Sequence, residues 1–270
     1  MLNWLLENEA GVRLASFLGI FLIVGVWELL LPRRRRELSR WVRWPSNLAL
    51  MAVNTVILRL VFPVLAVGVA TYVQSQKFGL LQQVAWPGWL KILLAIVVMD
   101  FIIYLQHVVF HMVPVFWRLH RMHHVDVDLD VTSGARFHSI EMVLSMLIKM
   151  ATIWLLGPDP AAVVIFEIIL NGMAMFNHGN IYMPEKMDRA LRFLIVTPDM
   201  HRVHHSVHMD ETNSNYGFNL ALWDRLLGTY LPAPRDGQEQ MHIGLTEFRD
   251  RRFSYLHYLL AIPFLRGRSS

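Results

Sequence analysis

The sequence predicts an all-α integral membrane protein, with about four transmembrane helices (including a short or re-entrant hairpin) and a cytosolic, histidine-rich helical cap. Hydrophobic residues make up 54% of the 270-residue chain, charged residues only 17%, and the mean hydropathy is +0.37. A soluble protein of this length rarely has so few charges to cover its surface. Most of the 13 histidines fall in a few tight groups, which indicates a metal site.

The first apolar run, Leu14–Leu31, contains one charged residue, Glu28. At about 1.5 Å per residue it nearly spans a hydrocarbon core of about 30 Å. A signal peptide is the alternative, but the basic cluster follows the apolar run instead of preceding it, and no small-residue cleavage site is present. The run is therefore interpreted as a retained transmembrane helix.

Arginine is concentrated directly after this run, in Arg33–Arg36 with Arg40 and Arg43. Such a cluster can indicate nucleic-acid binding. Its position beside an apolar helix favours a juxtamembrane role instead, with no nucleic-acid partner. The positive-inside rule then places these arginines in the cytoplasm of a multi-pass protein of the inner membrane.

The next two apolar runs are predicted to cross the membrane, first outward and then back to the cytoplasm. Leu48–Val73 contains Pro63, which predicts a kink. The third run begins near Trp89 and continues to His111, and we expect Asp100 within it to face protein, not lipid. The division predicted is an N-terminal unit of helices and basic loop, residues 1–88, followed by a histidine-rich domain, residues 89–270.

The fourth apolar region is predicted to be a hairpin. Its arms, Ile140–Leu156 and Ala161–Phe176, flank the turn sequence Gly157–Pro160. Lys149 and Glu167 lie within the arms and are a possible ion pair. Because each arm has only about 17 residues, it barely spans or is re-entrant. In either case the chain returns to the same side, so the histidines before and after the hairpin lie on the cytoplasmic face.

Three histidine motifs have the spacing of metal ligands. Since the chain has no cysteine, a transition metal must bind imidazole and carboxylate. One helical face presents both histidines of an i, i+4 pair and all three of an i, i+3, i+4 set. The eight histidines are His107, His111, His120, His123, His124, His201, His204 and His205. Eight exceed the coordination of one ion, so two metal ions fit better than one, and packing alone does not explain the repeated motif.

The other polar candidates are weaker. His138 and His178 are single histidines that are either ligands or ordinary polar residues, and Glu141 shares a helical face with His138 and can ligate or orient an imidazole. Asp199 belongs to a helix-start signal, Thr197-Pro198-Asp199, so it either caps the helix or accepts a hydrogen bond from a ligand.

The order of these motifs resembles the fatty acid hydroxylase superfamily, also called the sterol desaturase family. The matching blocks are His107–His111, His120–His124, Arg136–Glu141, His178–Asn180, Thr197–His205, Asn215–Asn219 and Trp223–Tyr230. Ser139 and Val125 depart from the usual pattern, where proline and serine are common. The resemblance covers about residues 100 to 232 and is specific as a combination.

The resemblance implies a non-haem diiron centre that activates O2 to hydroxylate or desaturate a lipid. It adds His138 and His178 to the ligands, which makes ten, and assigns orienting roles to Glu141 and the nearby aspartates. No haem, iron–sulfur or dinucleotide-binding motif is present, so electrons must come from a separate reductase or electron-transfer protein.

Two other functions remain open at this point. A zinc-dependent membrane hydrolase would need a general base beside the metal, usually within His-Glu-x-x-His, and that motif is absent. The other is a metal transporter or a metal store; a transporter would carry its ligands at the middle of the membrane, whereas these histidines lie at the inner ends of the apolar runs and in the polar lobe. The sequence does not identify the lipid or distinguish hydroxylation from desaturation.

Overall fold

The computed structural model describes residues 2–267, a range that forms helices and no β-strand. The helices are α1 Leu2–Glu7, α2 Glu9–Leu30, α3 Arg40–Val61, α4 Ala66–Ser75, α5 Gly88–Met112, α6 Pro114–His124, α7 Ser139–Leu156, α8 Pro160–Asn177, α9 Glu185–Leu191, α10 Pro198–His204, α11 Met209–Thr212, α12 Leu222–Leu226, α13 Gly237–Gln240 and α14 Leu256–Ala261.

Five helical stretches of residues 2–267 are long and apolar enough to cross a membrane: α2, α3 with α4, α5, α7 and α8. The all-α membrane architecture predicted from the sequence is therefore confirmed. The predicted count of about four was approximate, because each arm of the hairpin has 18 residues and qualifies separately. The last two stretches bring the chain back to the end of α5 that carries His107 and His111.

Local sequence explains where these helices break. The helix between Arg40 and Ser75 is interrupted at residues 62–65, around Pro63, because proline lacks the N–H that the helix needs. Gly157 ends α7 in the left-handed region, at φ 63°. The carboxylate of Asp159 then caps α8 by accepting the N–H of Ala161 at 2.8 Å. The predicted hairpin turn is thus present.

The hairpin forms the centre of the bundle. Helix α8 packs against α2, α4 and α5, while α7 packs against α3, α4 and α5. Inside the hairpin, Lys149 donates to Glu167 at 2.6 Å, which confirms the suspected pair, and Arg13 of α2 donates to the same carboxylate at 2.6 Å. The main apolar core lies where α4, α5, α7 and α8 meet.

The basic segment after α2 has a structural role beyond its place beside the membrane. Arg43 is fully buried and donates to Asp126 at 2.6 and 2.8 Å and to Asp130 at 2.5 Å. Burial alone would raise the pKa of Asp126, but Arg43 and Arg136 outweigh burial and hold that pKa below its ordinary value. This ion cluster fixes the loop between α6 and α7 against the start of α3.

Candidate metal centre

Three helices bring the eight motif histidines to one place. His107 and His111 lie on the last turns of α5, and the chain reverses at Val113 into α6, which carries His120, His123 and His124. The third motif lies on α10. Thr197 caps that helix and Pro198 occupies its first turn, as the sequence predicted.

Within residues 2–267 the histidines form two buried groups, and in each group the candidate ligand atoms all lie within 4.8 Å of one another. Group 1 is His107, His111, His120, His124 and His204; group 2 is His123, His178, His201 and His205. With metal–nitrogen bonds of about 2.0–2.1 Å, two ligands of one ion lie at most about 4.2 Å apart. Each group therefore needs only small adjustments to surround a single ion.

The two His-x-x-His-His motifs each divide between the groups. In α6, His120 and His124 join group 1 and His123 joins group 2. In α10 the division is reversed, because the middle histidine, His204, joins group 1. An i, i+4 pair points the same way along a helix while the i+3 residue is rotated, so one motif can serve two adjacent ions.

Six histidines are oriented by hydrogen bonds from Nδ1, which leaves Nε2 for another partner. The acceptors are the carbonyl oxygens of Tyr216 for His107 (2.8 Å), Arg136 for His123 (3.0 Å), Ala174 for His178 (2.7 Å) and Ser214 for His204 (2.8 Å), and the side-chain oxygens of Asn213 for His111 (3.3 Å) and Glu141 for His120 (2.7 Å). An acceptor oxygen at Nδ1 requires the proton to lie there.

Several Nε2 atoms then face one another without a proton to share. The Nε2 atoms of His107 and His120 lie 3.1 Å apart, and those of His178 and His123 lie 3.0 Å apart. Ligands at right angles on one ion are separated by a similar distance, about 3 Å, when each bond is about 2.1 Å long. A metal cation between these lone pairs removes their repulsion.

Other buried ring nitrogens are unpartnered within residues 2–267: Nε2 of His111, His124 and His204, and Nδ1 of His201 and His205. Such an atom costs about 1–3 kcal/mol if nothing binds it. Protonation does not relieve this cost. Burial first, and then the neighbouring imidazoles, hold the pKa values of His123, His124, His201, His204 and His205 well below the ordinary value. The neutral imidazoles fit two transition-metal ions.

His138 lies apart from both groups of the described chain. Its Nδ1 accepts the N–H of Ile140 at 3.2 Å, so it serves as the N-cap of α7, and its Nε2 lies 3.3 Å from the carbonyl oxygen of Leu260. The residue has extended backbone angles, so it does not share the helical face of Glu141. The geometry thus differs from the expectation of a tenth ligand.

Asp199 also lies outside the two groups. Its carboxylate pairs with Arg33 at 3.2 Å and with Arg202, and among residues 2–267 it has no hydrogen bond with a histidine. Asp199 therefore ties the basic segment to α10. Glu141 is different: one oxygen accepts from His120, while the other, Oε2, is buried and unpartnered in the described chain.

The carbonyl acceptors were missed by sequence reasoning, because every residue has a carbonyl group and none carries a signal in its side chain. Phe137 was missed as well. Its ring stacks on His123 with centroids 4.5 Å apart and an interplanar angle of 12°. The only signal in the sequence is that Phe137 lies next to His138 in the block Arg136–Glu141.

A cavity of about 390 Å³ adjoins the centre on its membrane side. Phe137 and Glu141 line the cavity, and they also contact His123 and His120. The remaining walls come mainly from α2, α3, α5, α7 and α8. A molecule within the bilayer therefore has a space that ends at the histidine groups.

The chain is similar in sequence to proteins of known function. The chain is 32% identical over 161 residues to the ornithine lipid hydroxylase OlsE of Rhizobium tropici, and the match covers 60% of this chain and 47% of that protein. It is 28% identical over 166 residues to the alkylglycerol monooxygenase of Xenopus tropicalis, covering 60% and 33% respectively. The match thus spans half or less of these relatives, and no solved structure matches the chain.

The family comparison covers the part of the chain that holds most of the centre. The model of the fatty acid hydroxylase family matches residues 92–229, which is just over half of the chain and includes all nine grouped histidines. On this match and on the two histidine groups, the chain belongs to the fatty acid hydroxylase family.

Proposed function

We propose that the protein is a membrane-bound oxygenase that hydroxylates a lipid at two iron ions held by the nine grouped histidines. The observation that carries the proposal is the contact between the two all-histidine groups and a cavity among the membrane helices. The relatives named as a lipid hydroxylase and a monooxygenase support the same reaction class. Desaturation begins with the same hydrogen abstraction and is the alternative outcome.

In this proposal His107, His111, His120, His124 and His204 hold one iron, and His123, His178, His201 and His205 hold the other. When bound, the irons supply O2 activation: one oxygen atom enters a C–H bond, and the other leaves as water with two electrons and two protons. The carbonyl, amide and carboxylate oxygens that accept from Nδ1 keep six of the nine imidazoles in the orientation that presents Nε2. Phe137 and Glu141 form the boundary between the metal ions and the lipid.

We propose that a separate reductase or electron-transfer protein supplies the electrons; the 270 residues contain no haem, iron–sulfur or dinucleotide-binding motif. We place the metal centre on the cytoplasmic side of the inner membrane, where that protein has access to it. The basic segment between α2 and α3 supports this orientation, because arginines are enriched in cytoplasmic loops.

The function is tested by lipid analysis of a strain that expresses the wild-type chain or the His204→Ala variant, grown under ¹⁸O2. We expect one lipid class to gain a single ¹⁸O atom only with the wild-type chain. A desaturase would instead produce an unlabelled lipid that is two hydrogen atoms lighter. Identical lipids in both strains under air would contradict the proposal.

A further inference from the structure

The cavity beside the metal centre is amphipathic, although it lies among apolar helices. Glu141, Ser145 and Lys149 are spaced four residues apart on α7, so they form one polar stripe, and all three line the cavity. The stripe is about 12 Å long at 1.5 Å per residue. Glu167 and Arg13 join Lys149 at the end away from the histidines.

The two ends of this stripe differ in whether their polar atoms have hydrogen-bond partners. At the far end, Glu167 accepts from both Lys149 and Arg13 at 2.6 Å. At the end beside the metal centre, Oε2 of Glu141 and Oε1 of Gln106 are buried and have no hydrogen-bond partner within residues 2–267. Both residues line the cavity. Because these atoms are acceptors, an occupant with hydroxyl or amine groups is favoured over a bare hydrocarbon chain.

A hydrocarbon chain has a different place nearby. A groove of about 390 Å³ lies between α5 and α7, and its lining is apolar except for Gln106. The apolar residues are Ile102, Leu105, Val109, Phe110, Phe116, Leu144, Leu147 and Ile148. Gln106 lines both the groove and the cavity, so the two spaces are neighbours on either side of this residue.

From this division we propose that the cavity holds the polar head of the lipid and the groove holds its hydrocarbon chain. Hydroxyl or amine groups of the head donate to Glu141 and Gln106. The carbon presented to the metal ions therefore lies in the head or directly next to it, and not in the middle of an acyl chain. This inference rests on the proposed function and names the substrate class for the same site.

The test compares the binding of two probes with the same chain: hexadecane-1,2-diol, which donates two hydrogen bonds, and 1,2-dimethoxyhexadecane, which donates none. Affinities are measured on the iron-loaded protein in lipid nanodiscs, without O2 and without a reductant, so that no turnover occurs. We expect the wild type to prefer the diol by about tenfold, the effect of about one added hydrogen bond. Equal affinities would overturn the proposal.

Two variants test which residues cause the preference for the diol. Glu141→Gln keeps an oxygen for His120 and replaces the free oxygen with an N–H donor, so the preference for the diol should fall to about twofold or less. Gln106→Leu should lower the preference as well, and this variant is used alone if Glu141→Gln does not fold. Met146→Leu, which changes an apolar residue of the same cavity, should leave it unchanged.

A preference that survives in both Glu141→Gln and Gln106→Leu would overturn the assignment of these acceptors. Because binding is measured without O2, this result does not depend on whether the protein proves to be an oxygenase. A failure of the proposed function would appear in the ¹⁸O2 experiment and leave the binding preference readable.

Discussion

Nδ1 of His123 donates to the carbonyl oxygen of Arg136 at 3.0 Å, and the guanidinium of Arg136 lies 3.5 Å from Asp126. A candidate ligand of group 2 is thereby connected to the ion cluster that also contains Arg43 and Asp130. The basic segment after the first transmembrane helix, the loop between α6 and α7, and the metal centre form one connected structure.

Removing Arg43 should destabilise the whole centre. Arg43→Met leaves Asp126 and Asp130 buried without their main partner, and breaking such a pair costs about 3–5 kcal/mol. We expect a lower yield of folded protein and a large drop in apparent melting temperature in detergent. Arg35→Met, which changes an exposed arginine of the same segment, should melt like the wild type. Equal melting of the two variants would show that the cluster contributes little.

Alanine substitutions should distinguish the nine grouped histidines from His138. His204→Ala removes a ligand of group 1, so we expect its iron content to fall from about two ions per chain toward one. His138→Ala removes a helix cap and should keep the wild-type iron content at a cost of about 1 kcal/mol in stability. Metal analysis of the purified variants measures both. Loss of iron from His138→Ala would show that His138 is a metal ligand.

Acid should destabilise the metal-free protein. The pKa values of His123, His124, His201, His204 and His205 are lowered when folded, so below about pH 6.5 the unfolded chain binds more protons than the folded one. Stability is therefore fully present above about pH 6.5 and falls as the pH is lowered through the folded pKa values. Melting temperatures between pH 7.5 and pH 5.5 measure this.

The matched control for the acid effect is His257→Gln, which removes an exposed histidine outside both groups. It should keep the full pH dependence, whereas His204→Gln should reduce it. A melting temperature that stays constant over this pH range would contradict the buried, neutral state of the two groups.

Cysteine labelling can test the orientation directly, because the chain has no cysteine of its own. We expect Glu7→Cys, near the N-terminus, to react with an impermeant maleimide on intact spheroplasts. Glu185→Cys, at the exposed start of α9, should react only after lysis. The reverse pattern would place the metal centre outside the cytoplasm.

The sequence predicted the helices and most of the centre because both depend on short-range spacing. Apolar runs define spanning helices, and i, i+3, i+4 spacing places imidazoles together wherever the segment is helical. His138 shows the limit of this reasoning. Its spacing to Glu141 indicates a shared face only if both residues are helical, and His138 lies at the non-helical cap position.

Long-range partners were harder to predict. Arg43 belongs to a basic run that is typical of a membrane boundary. Nothing in the run identifies Arg43 as the arginine that is buried and paired with Asp126 and Asp130. The Nδ1 acceptor of His107 is the backbone carbonyl of Tyr216, which lies 109 residues away along the chain. Such contacts depend on the packing of whole helices.

We propose that the two separate histidine groups each hold one iron ion. Anomalous X-ray diffraction from crystals of the iron-loaded protein, collected at the iron absorption edge, tests it most directly. We predict two anomalous peaks, one within bonding distance of Nε2 of His107 and His204 and the other near His123 and His178. A single peak, or no iron peak at either group in iron-replete protein, would contradict the account.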